Sequence, residues 1–282
     1  MSGTMTITTG GNSITVDMPQ YGYTVDVFLS IIPAMSAAGT LTAWDNGIAY
    51  DHRVLRGLKW LLNAADQAEL QDFFTTVGKG RETSVVFGLG GTPTGFFPFG
   101  ADKGDKGNFS CRMIEQSQGG MNISTWRHYE NTLKFVLVTP PSYSLPTQVD
   151  EGDFQIGSVD GIRYPQGGFE LDAQKNVSHV LTHSGVPYEM DGANSADVFY
   201  NSFTVETNQT KMAALMAYLT ATARGGEFQT IFPSDSYPFG IEQSAGGAMN
   251  VRLNQTTLSM THNNFDSFSL PLKLWFKEVV LS

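Results

Sequence analysis

Cysteine is almost missing from this chain of 282 residues: Cys111 stands alone. An internal disulfide is therefore impossible, and no Cys/His zinc cluster can be assembled. Cys111 reads as a small packed or half-buried residue. Charge is also sparse, at 16% of residues, and its balance is acidic, with 27 Asp and Glu against 17 Lys and Arg. The net charge of −10 repels a phosphate backbone and argues against adhesive nucleic-acid binding. No apolar run is long enough to span a membrane and no basic-then-apolar leader opens the chain, so neither export nor membrane insertion is expected. Synthesis in the cytoplasm is the expectation. Helix signals are few.

What is present describes a packed protein. Hydrophobic residues make up 41%, and Gly 30 and Pro 12, with many Thr, Ser and Asn, supply the punctuation of numerous short strands and turns. The length has room for two domains, each able to bury a core.

An internal repeat supports that division. Asn63 or Asp66 can cap a helix whose apolar residues Leu70, Phe73, Phe74 and Val77 fall on one face, before Gly78 and Gly80 stop it. Asn208, then Met212, Leu215, Met216 and Leu219, then Gly225 and Gly226, repeat the arrangement. A strand follows in each copy, at residues 84–87 and 230–232. Each copy then reaches an aromatic loop, Phe97-Pro98-Phe99-Gly100 and Tyr237-Pro238-Phe239-Gly240. Pro19-Gln20 recurs as Pro165-Gln166 and Gly80 as Gly226, both 146 residues on. The ordered landmarks point to a duplicated unit. Its boundaries are read as a first domain at 1–141 closed by Pro140-Pro141, a linker at 142–153 and a second domain at 154–282.

Several turns are expected within this frame. Gly10-Gly11-Asn12 joins an N-terminal hairpin, and residues 21–29 form a strand. Asp45-Asn46-Gly47 joins residues 41–44 to 48–50 as a hairpin, residues 54–62 form a strand feeding the helix, and Val159-Asp160-Gly161 turns within residues 154–164. Residues 108–115 and 133–138 close the first domain, and a long strand at 270–281 closes the second. Each half is then mainly β, a small sandwich or barrel with one helix laid on a sheet. No alternation of strand and helix supports a parallel doubly wound fold.

Motifs for chemistry are weak. Gly88-Leu89-Gly90-Gly91 lies before Pro93 and Pro98 rather than at a helix start, and Gly78-Lys79-Gly80 lacks the remainder of a phosphate loop. His179 and His183 are four apart in a context favouring strand and turn, Asp191, Asn194 and Asp197 lack a calcium loop's glycine and glutamate, and no serine elbow occurs. No catalytic, cofactor or metal residue is assigned. The aromatics Phe96, Phe97, Phe99, Tyr237 and Phe239 are candidate subunit or loop contacts, since both copies keep them at one point of the repeat.

This unit, with its helix of the form Leu70-x-x-Phe73-Phe74 or Met216-x-x-Leu219, glycine stop, strand and aromatic loop, resembles the tube-type domain of long-tailed bacteriophage tail proteins. Chains carrying two such domains occur among distal tail and tail-tip hub proteins, and the duplication departs from a simple tail tube subunit. The resemblance implies a structural virion protein without enzymatic activity. It also implies a homo-oligomeric ring around a DNA channel, with a trimer forming a pseudo-hexamer favoured over a hexamer. The implied partners are the tail tube protein, other tail-tip proteins and the tape measure protein. Two other readings stay open: a carbohydrate- or host-surface-binding β protein without catalysis, and a hydrolase with a carboxylate pair.

Overall fold

The structure, a computed structural model, describes residues 3–17, 23–35, 41–77, 83–89, 109–113, 122–125, 128–137, 152, 154–163, 169–174, 177–181, 187–191, 198–231, 248–264 and 267–276. Strands dominate, and every pairing among these residues is antiparallel.

The first half opens with the expected hairpin of β1 (Gly3–Thr9) and β2 (Asn12–Asp17). Gly10 and Gly11 turn it at φ 54° and 85°, where a Cβ would be strained. Next come β3 (Thr24–Phe28), β4 (Ile31–Met35), β5 (Leu41–Asp45), β6 (His52–Leu62) and helix α1 (Ala64–Asp72). The half ends with β7 (Thr83–Leu89), β8 (Phe109–Met113), β9 (Asn122–Thr125) and β10 (His128–Leu137).

One hairpin forms elsewhere than expected. Residues 41–45 pair backward with β4, Asp45 opposite Ile31, and Ile48–Tyr50 is a short 3-10 turn. The cause is local hydrogen bonding. Asp45 Oδ1 accepts the Gly47 N–H at 2.8 Å, while Asn46 donates its backbone N–H to the Ser30 carbonyl at 3.0 Å and its Nδ2 to Ser30 Oγ at 3.1 Å. Asn46-Gly47 thus ties back to the start of β4 instead of turning forward.

The second half runs β11 (Phe154–Ile156), β12 (Val159–Ile162), β13 (Phe169–Gln174), β14 (Val177–Leu181), β15 (Pro187–Asp191), β16 (Val198–Thr207) and helix α2 (Gln209–Ala217). It ends with β17 (Glu227–Ile231), β18 (Ala248–Leu253), β19 (Thr257–Asn264) and β20 (Ser267–Phe276). The turn expected at Val159-Asp160-Gly161 falls earlier, at Gly157-Ser158, with Gly157 at φ 59°. Burial explains the shift, because Ile156, Val159 and Ile162 all face the core.

Both helices start alike. Asn63 Oδ1 accepts the Asp66 N–H at 2.9 Å and Asn208 Oδ1 accepts the Lys211 N–H at 2.9 Å, so asparagine is the cap in each. Both continue into a π-helical turn, Phe73–Val77 and Tyr218–Ala223. Of the expected apolar faces, Leu70, Phe73 and Phe74 are buried in one and Met212, Leu215, Met216 and Leu219 in the other, while the Val77 side chain lies outside what the structure describes. Helix α1 packs on β2, β6 and β10, and α2 on β12 and β20. The residue that ends the second helix is not a glycine, however. Arg224 takes φ 28°, the only positive φ outside glycine among the described residues.

The pairings of the first half recur in the second. β2, β1, β7, β8, β10, β6 and β3 lie side by side in that order, with β9 also on β10. β12, β11, β17, β18, β20, β16 and β13 do the same, with β19 on β20, and the separate hairpins β4–β5 and β14–β15 correspond. Even the irregularities agree, since β10 slips against β9 where β20 slips against β19. A bulge in β6 containing Gly57, at φ 76°, inserts one residue that β16 lacks. Beyond it, the separation of counterparts falls from 146 to the 145 between Asn63 and Asn208. Gly80 therefore corresponds in sequence to Gly225 rather than Gly226.

Candidate functional site: the seam between the halves

One pairing has no counterpart among the described residues. β19 of the second half runs antiparallel along β3 of the first, from Thr257 opposite Phe28 to Thr261 opposite Thr24. Leu29 donates its N–H to the Thr256 carbonyl at 2.8 Å and His262 to the Tyr23 carbonyl at 3.0 Å, extending the ladder at both ends. A single 16-stranded sheet results.

The seam is dry on one face. Tyr23, Val25, Val27, Leu258, Met260 and His262 are all fully buried. The His262 ring stacks on Phe268 at 4.4 Å and meets Tyr23 at 4.9 Å, so an aromatic group closes one end of the seam. On the other face Thr24 Oγ1 lies 3.2 Å from Thr261 Oγ1. Asp26 of β3 accepts from Arg56 Nε at 2.6 Å, and this carboxylate raises the arginine's pKa above its ordinary value.

A charged clamp joins the halves beside the hairpin β4–β5. Arg224 Nε and Nη2 donate to the two Asp45 carboxylate oxygens at 2.6 and 2.7 Å. Its Nη1 and Nη2 donate to Asp51 at 2.6 and 3.1 Å, and Nη1 also reaches the Thr220 carbonyl at 2.9 Å. Asp51 in turn accepts the Ser30 N–H at 2.7 Å. One guanidinium thus bridges two carboxylates as a double fork. Its unusual backbone has a purpose, because at φ 28° the last residue before Gly225 directs a long side chain toward the other half.

Gly225 follows in close contact with that half. A Cβ there would lie 2.2 Å from the Cβ of Ala43. Gly225→Ala is expected to cost about 1–3 kcal/mol through overpacking. Adding Ala43→Gly should restore most of that, as read by the urea unfolding midpoint of both variants.

Hydrogen bonds from Arg224 hold the Asp45 carboxyl below its ordinary value of 3.8, with the Gly47 N–H assisting and burial opposing. A depressed carboxyl contributes stability that is full above the unfolded value and is lost as pH falls through the folded one. The difference in urea midpoint between the wild type and Asp45→Asn should therefore be constant from pH 7 to pH 5 and shrink below about pH 4.

The other expected sites fare variously. Phe96, Phe97, Phe99, Tyr237 and Phe239 lie outside the described residues, as does linker 142–153 apart from Gly152. His179 sits in β14, and His183 is outside the described residues. No group of three or more His, Cys, Asp or Glu that could hold a metal occurs among the described residues. No helix among them is long and apolar enough to cross a membrane. Sequence reasoning missed Arg224, which stands just before the glycines read as the helix stop. A trace was present, since Asp45 and Asp51 recur as Asp191 and Asp197, again 146 residues on, and Lys79 holds Arg224's place in the first half.

A scan against protein-family models and a search of curated proteins find no match to this chain. The described residues place it in a class, that of mainly antiparallel β proteins, with two short α-helices among those residues.

Proposed function

We propose that this chain is a structural protein of a long-tailed phage tail tip, built from two tandem tube-type domains at 1–141 and 154–282. Three chains associate side by side into a ring of six similar units, joining the tail tube to the tip and surrounding the channel through which DNA passes. The observation that carries this reading is the seam: one repeat unit already adds the β19 strand of the other to its β3 edge, as subunits of a strand-linked ring would. The net charge of −10 suits a wall that DNA must not adhere to. Tail tube, tape measure and other tip proteins are the partners this reading names, with the virion as its location and no catalytic role. Negative-stain electron microscopy of the purified chain tests it. Annular particles with a central hole support the ring, and single compact particles at every concentration overturn it.

A second reading has one observation in its favour. Trp44 and Tyr50 are 72% and 71% exposed, and Ile32, which lies opposite Trp44, is 59% exposed. Exposed aromatic faces suit stacking on sugar rings, so a non-catalytic carbohydrate- or host-surface-binding role predicts glycan-array binding that Trp44→Ala abolishes. Absence of binding in the wild type removes this reading.

A further inference from the structure

Beside the start of β6, the arginines Arg53, Arg56 and Arg224 do not pair one to one with the carboxylates Asp26, Asp45 and Asp51. Arg224 takes both Asp45 and Asp51, and Asp51 also accepts the Ser30 N–H. Arg56 takes Asp26. Arg53 is left over. It is 4% exposed, its Nε is buried with no hydrogen-bond partner, and no Asp or Glu forms an ion pair with it among the described residues. Two neighbours could have served and do not. Asp51, two residues earlier in extended backbone, lies on the same side of the chain, but its oxygens are committed to Arg224 and Ser30. Asp26 stands opposite Val54, and so on the other face of the sheet.

Packing does not call for a charge at this position. Arg53 lies opposite Val27 in one ladder and Leu137 in the other, and Leu258 lies opposite Val27, so it belongs to the dry face of the seam. The second half shows what an apolar row takes there. Its counterpart, 146 residues on, is Phe199, opposite Ala173 and Phe276. Arginine does not escape burial by losing its proton, and a buried charge without a partner is strongly unfavourable. The clamp's surplus negative charge attracts Arg53 but gives its Nε no acceptor. We infer that Arg53 anchors an anion site on the inner face of the first half, taking one small oxyanion whose oxygens accept from the guanidinium fork. Phosphate and carboxylate share that chemistry, since both offer two oxygens at the spacing of the fork.

Equilibrium dialysis of the full chain at fixed ionic strength, against inorganic phosphate and separately against acetate, tests the site. One anion should be retained per wild-type chain and none by Arg53→Phe, which installs the residue of the second half. Retention of phosphate alone assigns a phosphate-type ligand, and retention of acetate alone a carboxylate. Retention of neither by the wild type overturns the inference without recourse to any variant, and equal retention by wild type and Arg53→Phe overturns it by placing the anion elsewhere. Stability gives a second readout. Phosphate strengthens folding generally through exclusion from protein surfaces, so the difference between the two chains is what counts. The wild-type urea midpoint should rise further than that of Arg53→Phe when the retained anion is added, with an increment that grows as the logarithm of its concentration. In chloride alone Arg53→Phe should be at least as stable as the wild type, because a buried charge has been removed. A variant markedly less stable in chloride, beside a wild type indifferent to both anions, would mean that the guanidinium is neutralised within the chain, and the site would fall. Arg53→Met, which keeps an unbranched stem, replaces the phenylalanine variant if the ring prevents folding.

Discussion

Replacing Arg224 with alanine is expected to lower the unfolding free energy by about 3–5 kcal/mol, measured by urea denaturation at pH 7. Most of that effect comes from what is left behind. The Asp51 side chain is 0% exposed and would lose two guanidinium bonds while remaining desolvated. Its bond from the Ser30 N–H survives and moves the expected loss toward the lower end of the range. Asp45, with its side chain 37% exposed, recovers water and contributes less. Two further variants separate the terms. Arg224→Gly also loses the clamp but releases a backbone held at φ 28° and ψ −98°, so it should be more stable than the alanine variant by about 1 kcal/mol. Asp51→Ala combined with Arg224→Ala should cost less than the two single losses together, since the stranded charge is gone. A loss under about 1 kcal/mol for Arg224→Ala would show that the clamp does not hold the halves together.

Leu215→Ala is expected to cost about 2–5 kcal/mol, from lost transfer energy and the cavity left behind. Leu215 is fully buried in α2, as are Met212 and Met216 of the same helix and Leu219 of the π-helical turn that follows. Leu70, its counterpart in α1, is equally buried, and Leu70→Ala should fall in the same range. Met216→Leu conserves volume and should cost under about 1.5 kcal/mol. Near-neutral behaviour of both alanine variants would mean that the two faces do not pack as described.

These helices were legible in the sequence because their signals are local. A cap, an apolar face at helical spacing and a following turn all lie within about 20 residues. The hairpin at Gly10-Gly11 was legible for the same reason. Asn46-Gly47 misled because a hairpin signal is only a propensity, and side-chain bonds to Ser30 displaced it. The seam could not be read at all. Thr24 and Thr261 are 237 residues apart, and nothing in either strand names the other. Arg224 was hidden differently, since a charged residue beside two glycines reads as a solvated helix end. Only its partners in the other half explain why arginine, and not glycine, takes the positive φ.

The claim on which the account rests is that β19 of the second half completes the edge of β3 and so joins the halves in one sheet. Amide hydrogen exchange of the full chain tests it at single residues. The Val25 and Val27 amides, which turn to β19, should exchange as slowly as those of Thr24 and Asp26, which turn to β6. Fast exchange at Val25 and Val27, beside slow Thr24 and Asp26, would contradict it.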